Sequence, residues 1–334
     1  MKAFGNLEVR LDPWEAEYGG EVAVALPGEE AADGIEVEPG VELPFESWRP
    51  LQVEGPPSEE RILFIDGTRR LDARVLVHDG RRRFHGAFGS LAAGWVEVEG
   101  TRAKIPEDAI TVHRLLVFGC AGEVPEAIRE MKPITVLPGL TYHPSVTDND
   151  EPDAPMKAIH EAMQKAEGDL AVQLRGASLI VADGLADFRQ PVPQRTLGYV
   201  KRMMTQYLPA PRGLDILAAL PHHTRTPIFE IRKEKQRKLS WYVRLGPREL
   251  GESEILGLAR IECAPMPLAE AQVLADRSVR DLSRFVPSRA RDPRSPQNLL
   301  PIGALEKQIR HRLGDRTLVR RKIRALLAQE EAHG

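Results

Sequence analysis

Two aspartates in this 334-residue chain close strongly apolar runs, and a glycine follows each: Asp66 after "ILFI" and Asp183 after "LIVA". Runs of that kind read as buried strands, and strand ends in a mixed sheet often border a ligand cleft. Asp-Gly is also a strong tight-turn signal, and it recurs at Asp33 and at Asp79, where "VLVHDGRRRF" is explained by a turn alone. If Asp66 and Asp183 converge, each raises the pKa of the other unless something positive lies between them. A divalent cation resolves that conflict. Mg²⁺ and Mn²⁺ take oxygen donors, and two such ions about 4 Å apart activate a water and stabilise the leaving oxygen in phosphodiester cleavage. With basic segments elsewhere in the chain, this chemistry is favoured over sugar cleavage.

A third carboxylate is expected from a helix over residues 154–175. There Ile159, Met163, Ala166, Leu170 and Leu174 form one apolar stripe. With Met163 at zero and about 100° per residue, the stripe averages about −20°, Glu167 lies near +40°, Glu161 near 160° and Asp169 near −120°. Glu167 alone borders the buried face, while Glu161 and Asp169 face solvent.

The net charge of −3 hides an asymmetry. Residues 1–60 hold 3 Lys and Arg against 15 Asp and Glu, a balance of −12. Residues 189–245 hold 12 against 3, or +9, and residues 277–326 hold 14 against 4, or +10. Such basic blocks fit a polyanion partner. Lys201, Arg202, Arg225, Arg232, Lys233 and Lys235 are read as phosphate contacts, which need charge and reach more than spacing. His222 and His223 lack partners at zinc spacing. Trp241 and Tyr242 are candidates for base stacking, although alternation turns at least one of them inward. The two cysteines, Cys120 and Cys263, read as buried thiols in a reducing interior. Without an apolar run of membrane length, a soluble cytoplasmic protein is expected.

The elements needed to position these residues are legible in outline. Residues 1–57 form an acidic, strand-bearing N-terminal region with pieces such as "EVAVALPG" and "IEVEPGVELPF", and residues 58–334 form a second unit. Four runs from Arg61 to Gly119 predict an antiparallel meander, residues 133–153 a loop, and Asp153 with Pro155 the start of the helix. "ASLIVADG", "PIFEIR" and "SWYVRL" predict strands, and residues 195–208 and 301–327 predict helices.

"FIDGT" at 64–68, "AEGDLA" at 166–171, "LIVADGLADF" at 179–188 and "LGYVKR" at 197–202, followed by "RTPIFEIR" and "NLLPIGALEKQI", resemble in order and spacing the NurA nucleases of bacteria. The resemblance implies an α/β, ribonuclease H-like mixed sheet flanked by helices. It also implies a Mn²⁺- or Mg²⁺-dependent DNA nuclease that trims ends 5′ to 3′ and cuts single strands. Its implied partners are DNA, a second copy of the chain and a hexameric HerA-type translocase, in end resection and double-strand break repair. Carried over by position, Asp66, Glu167 and Asp183 are catalytic and hold the metal, and Lys201 is the basic residue of "VKR"; Glu306 is a further catalytic candidate. One departure concerns the C-terminus, where the family places a histidine after an alanine, with a tyrosine upstream. Here Leu305 follows Ala304, Glu306 comes next, His311 lies further on, and no tyrosine follows Tyr242. Either Glu306 or an out-of-register histidine takes that role, or the ligand is missing. The alternative function is a non-catalytic DNA-binding or clamp subunit of the same assembly.

Overall fold

The structure, a computed structural model, describes residues 3–12, 34–174, 176–184, 195–201, 206–233, 236–247, 253–288, 290 and 295–332. "EVAVALPG", Asp33, Arg202 and Lys235 lie outside them. The acidic beginning supplies strands β1 (Glu8–Leu11), β2 (Ile35–Glu38) and β3 (Leu51–Gln52). The centre holds β4 (Ile62–His78), β5 (Arg83–Glu99), β6 (Arg102–Lys104) and β7 (Ile110–Gly119). A short helix α1 (Glu126–Arg129), the hairpin β8 (Ile134–Leu137) and β9 (Leu140–Thr147), helix α2 (Ala154–Gln173) and strand β10 (Leu179–Asp183) follow. The second half holds β11 (Thr196–Val200), α3 (Arg212–Ala219), β12 (Thr224–Arg225), β13 (Phe229–Lys233), β14 (Gln236–Arg244) and β15 (Leu258–Cys263). Helices α4 (Leu268–Ser283), α5 (Leu300–Arg312) and α6 (Arg316–Ala332) close the chain.

The strands join one mixed sheet with the central order β2-β13-β14-β15-β11-β10-β4-β5-β7-β9-β8. Its middle is parallel, β10 lying between β4 and β11. Helices cover both faces there, which is why "ILFI" and "LIVA" are continuously apolar rather than alternating. Leu63, Ile65 and Ile180 face α2 through Ala171, Leu170 and Leu174. Ile62, Phe64, Leu179 and Val181 face the opposite way, against Leu274 and Val279 of α4 and Ile302, Leu305 and Ile309 of α5. Removing one such aliphatic side chain costs about 2–5 kcal/mol. Helix α2 can approach β5 closely because Gly89 has no side chain: a Cβ there would collide with Ile159.

Several sequence expectations are corrected. The first two apolar runs are one 17-residue strand, β4, which passes straight through Asp66-Gly67, so that pair is no turn. The meander is the three long strands β4, β5 and β7. Asp79-Gly80 is the true turn, where Asp79 Oδ1 accepts the N–H groups of Arg81 and Arg82 at 2.9 and 2.8 Å and Gly80 takes φ +86°. Residues 133–153, expected as a loop, contain the β8–β9 hairpin. Residues 195–208, expected as a helix, contain strand β11, because alternating β-branched and aromatic residues outweigh the helical spacing. Residues 301–327 form two helices, separated at Gly314 with φ +78°. Asp153 starts α2 without a side-chain cap and instead pairs with Lys157 at 2.9 Å. Among the described residues, no helix is long and apolar enough to cross a membrane.

Candidate active site

Asp66 and Asp183 stand side by side. The parallel register pairs Ile65 with Ala182, so the next residue of each strand projects from the same face, toward α4 and α5. Asp66 is only 6% exposed. Burial pushes its carboxyl well above the ordinary range, the negative charges of Asp183 and Glu306 push it further, and Lys201 and the Gly67 N–H oppose the shift. Lys201, just past β11, puts Nζ 2.6 Å from Asp183 Oδ2 and donates to Asn298 Oδ1 at 3.1 Å. Tyr199, opposite Asp183 in the β10–β11 register, donates its hydroxyl to the Gln297 carbonyl at 2.7 Å. Burial and then Asp183 raise the Tyr199 pKa, keeping that hydroxyl a neutral donor.

Glu167 enters from α2, on the other side of β4. The Gly67 N–H donates to its carboxylate, and a Cβ on Gly67 would lie 2.5 Å from Glu167 Oε1 and 2.9 Å from Cδ. The glycine after Asp66 is therefore the space that the helical carboxylate occupies, and not a turn residue. Burial first, then Asp66 and Asp183, raise the Glu167 pKa well above its usual value. The helical-wheel reading agrees with the other two acids: Glu161 is exposed, and Asp169 pairs with Lys165 at 2.7 Å. Glu306 on α5 acts electrostatically on Asp66 and holds Arg310 at 3.0 Å. Leu305, which follows Ala304, is fully buried in the core and supplies no ligand, while His311 is exposed.

This donor set is entirely oxygen, as hard divalent cations require, and its raised carboxyl pKa values mark a place where positive charge is stabilising. Among the described residues, no three acidic, histidine or cysteine side chains are drawn together as a finished coordination shell. The fold gives the reason: Asp66 and Asp183 face α4 and α5, Glu167 approaches over Gly67 from α2, and the Lys201 ammonium rests on Asp183. The set fits a cation in chemistry and neighbourhood, with Lys201 as the resident counter-charge.

The expected phosphate contacts divide. Lys201 belongs to the acidic cluster. Arg225 is overturned as a DNA contact: it is 3% exposed, and it binds Glu42 at 2.8 and 3.0 Å and Asp276 at 2.7 Å. Lys233 is half-buried on β13, opposite Ile35 of β2. Arg232 and Arg237 both hold the buried carboxylate of Glu230. His222 contacts the Leu245 carbonyl at 2.8 Å and lies tilted against His223, the ring centroids 3.8 Å apart. Trp241 and Tyr242 are both buried, because this part of the sheet is covered on both faces, and neither is open for stacking on a base. Sequence reasoning missed Tyr199, Asn298 and the role of Gly67. A glycine inside a strand was the available signal for the last, since it marks a close approach by another group.

Neither protein-family models nor curated proteins give a match to this chain. Among solved structures, the NurA nuclease from Sulfolobus solfataricus is similar over 85% of this chain and 88% of its own, at 12% sequence identity and a TM-score of 0.49. A likeness at that level fixes neither family nor activity.

Proposed function

We propose that this chain is a metal-dependent DNA nuclease whose centre is built on Asp66, Asp183 and Glu167. The observation that carries the reading is the placement of two carboxylates side by side on neighbouring parallel strands, Asp66 buried and Asp183 half-buried, with a third reaching in over a glycine. Asp66, Glu167 and Asp183 would hold Mn²⁺ or Mg²⁺. When bound, such an ion supplies activation of water and stabilisation of the leaving oxygen in phosphodiester hydrolysis. Lys201 orients Asp183 and offers positive charge to a phosphate, and Tyr199 and Asn298 fix the strand end that bears them. Glu306 adds negative charge beside Asp66. The motif order read from the sequence supports the finer reading: a ribonuclease H-like domain over residues 58–334, a homodimer, 5′ to 3′ trimming and single-strand cutting, and action in the cytoplasm with a hexameric HerA-type translocase in end resection.

A second reading, a non-catalytic DNA-binding subunit, is favoured by the ammonium of Lys201 on Asp183 and by the buried leucine at the family's histidine position. Labelled single-stranded DNA incubated with Mn²⁺ separates the two. Cleavage that disappears in Asp66→Ala supports the nuclease, whereas DNA binding without cleavage, with or without a translocase, leaves the second reading.

A further inference from the structure

Helix α5 separates the acidic cluster from a cavity of about 760 Å³ on its other side, roofed by the β5–β6 hairpin and the end of α4. Ala304, Gln308 and Arg312, one helical row, line the cavity, while Glu306 points away from it toward Asp66. Its walls are largely apolar, with Val98, Ile105, Ile110, Phe285 and Ala304 prominent, and its volume is that of a small-molecule site.

Arg284 lies on this lining. Its guanidinium rests on the Phe285 ring, 4.6 Å from the centroid, and its Nε and Nη2 are shielded from solvent with no hydrogen-bond partner. Arg312 spends one nitrogen on the Glu107 carbonyl at 3.3 Å, but among the described residues nothing accepts from those two donors of Arg284. Buried donors of a charged group are costly to leave unmatched, and native structures match them with protein, water or ligand. The described residues supply no acceptor here. A cation that cannot lose its charge, set in an apolar cavity, selects an anion with an apolar body attached.

We propose that this cavity is a second binding site, separate from the acidic cluster, for a small molecule that joins one phosphate or carboxylate to an apolar or aromatic body. The Arg284 guanidinium, whose two unmatched donors are covered where it rests on the Phe285 ring, turns into the cavity to donate to the anionic oxygens, and the body packs on Phe285 and the aliphatic wall. Two sources share that chemistry, a nucleoside monophosphate and a medium-chain carboxylate.

The test is calorimetric titration of the full chain in metal-free buffer with deoxyadenosine monophosphate, octanoate and, as head group alone, inorganic phosphate. At least one of the two bodied ligands binds, and phosphate alone binds more weakly. The ligand that binds names the source. Arg284→Met, which keeps the stem and removes the donors, weakens binding roughly tenfold to a hundredfold. Ala304→Phe, at an exposed position of α5, fills the cavity and weakens binding while leaving Arg284 intact; it serves alone if the arginine variant does not fold. Failure of both ligands to bind, or binding unchanged in Ala304→Phe, overturns the proposal.

Discussion

Replacing Gly67 by alanine tests the active-site reading with a single methyl group. The new Cβ would lie 2.5 Å from Glu167 Oε1 and 2.9 Å from its Cδ. Ordinary contact distances are near 3.5 Å, so the carboxylate must retreat by about 1 Å. The yielding group is the far end of a flexible side chain, which makes the movement cheap in stability. Alanine inside a strand also gains about 0.5–1 kcal/mol over glycine, so the melting temperature should change by only a few degrees. Activity should respond very differently. Misplacing a group by about 1 Å costs on the order of 100-fold, or about 2.7 kcal/mol of transition-state stabilisation. The assay is Mn²⁺-dependent cleavage of labelled single-stranded DNA beside a thermal melt and a Mn²⁺ titration. Native cleavage and native Mn²⁺ affinity in Gly67→Ala would refute the assignment of Glu167 to the site.

Other outcomes follow from the same geometry. The carboxyl pKa values of Asp66 and Glu167 are raised by folding, so the folded state holds more protons than the unfolded one; their contribution to stability is full at low pH and is lost as pH rises from about 4 toward the folded values. Asp66→Asn should therefore stabilise the metal-free protein at pH 7 by on the order of 1–3 kcal/mol and reduce the loss seen on raising pH, and a melt series with unchanged slope would contradict this. Lys201→Gln should raise Mn²⁺ affinity roughly tenfold, since a competing positive charge leaves Asp183, while lowering cleavage; weaker Mn²⁺ binding would show that the lysine is not a counter-charge. Arg225→Ala should cost about 3–5 kcal/mol by stranding the buried Glu42, with the DNA affinity of the folded fraction intact; a stable variant with weak DNA binding would restore Arg225 as a phosphate contact.

The places of the candidate carboxylates were more legible than the frame that carries them. Asp66, Asp183 and Glu167 were read from apolar strand ends and one helical stripe, both local signals, and the structure brings all three into one electrostatic neighbourhood. What failed was the reading of features whose meaning depends on distant chain. Gly67 reads as a turn until Glu167, 100 positions later, fills the space beside it. Arg225 reads as surface charge until Glu42 and Asp276 surround it from opposite ends of the sequence. Trp241 and Tyr242 alternate, so at least one was expected inward, and both are buried because α3 and α4 cover the two faces.

The first sixty residues are stitched into the sheet at three separate seams: β1 against β4, β2 against β13 and β3 against β12. The Ala3 N–H also donates to Glu330 of α6 at 3.0 Å. During synthesis the earliest strands must therefore wait for partners made much later, and one of them for the final helix. Such long-range closure is slow, and until it happens the waiting edges are open to pairing with other chains. Growth conditions that slow aggregation, such as low temperature, should raise the yield of native protein more than they would for a fold that closes locally.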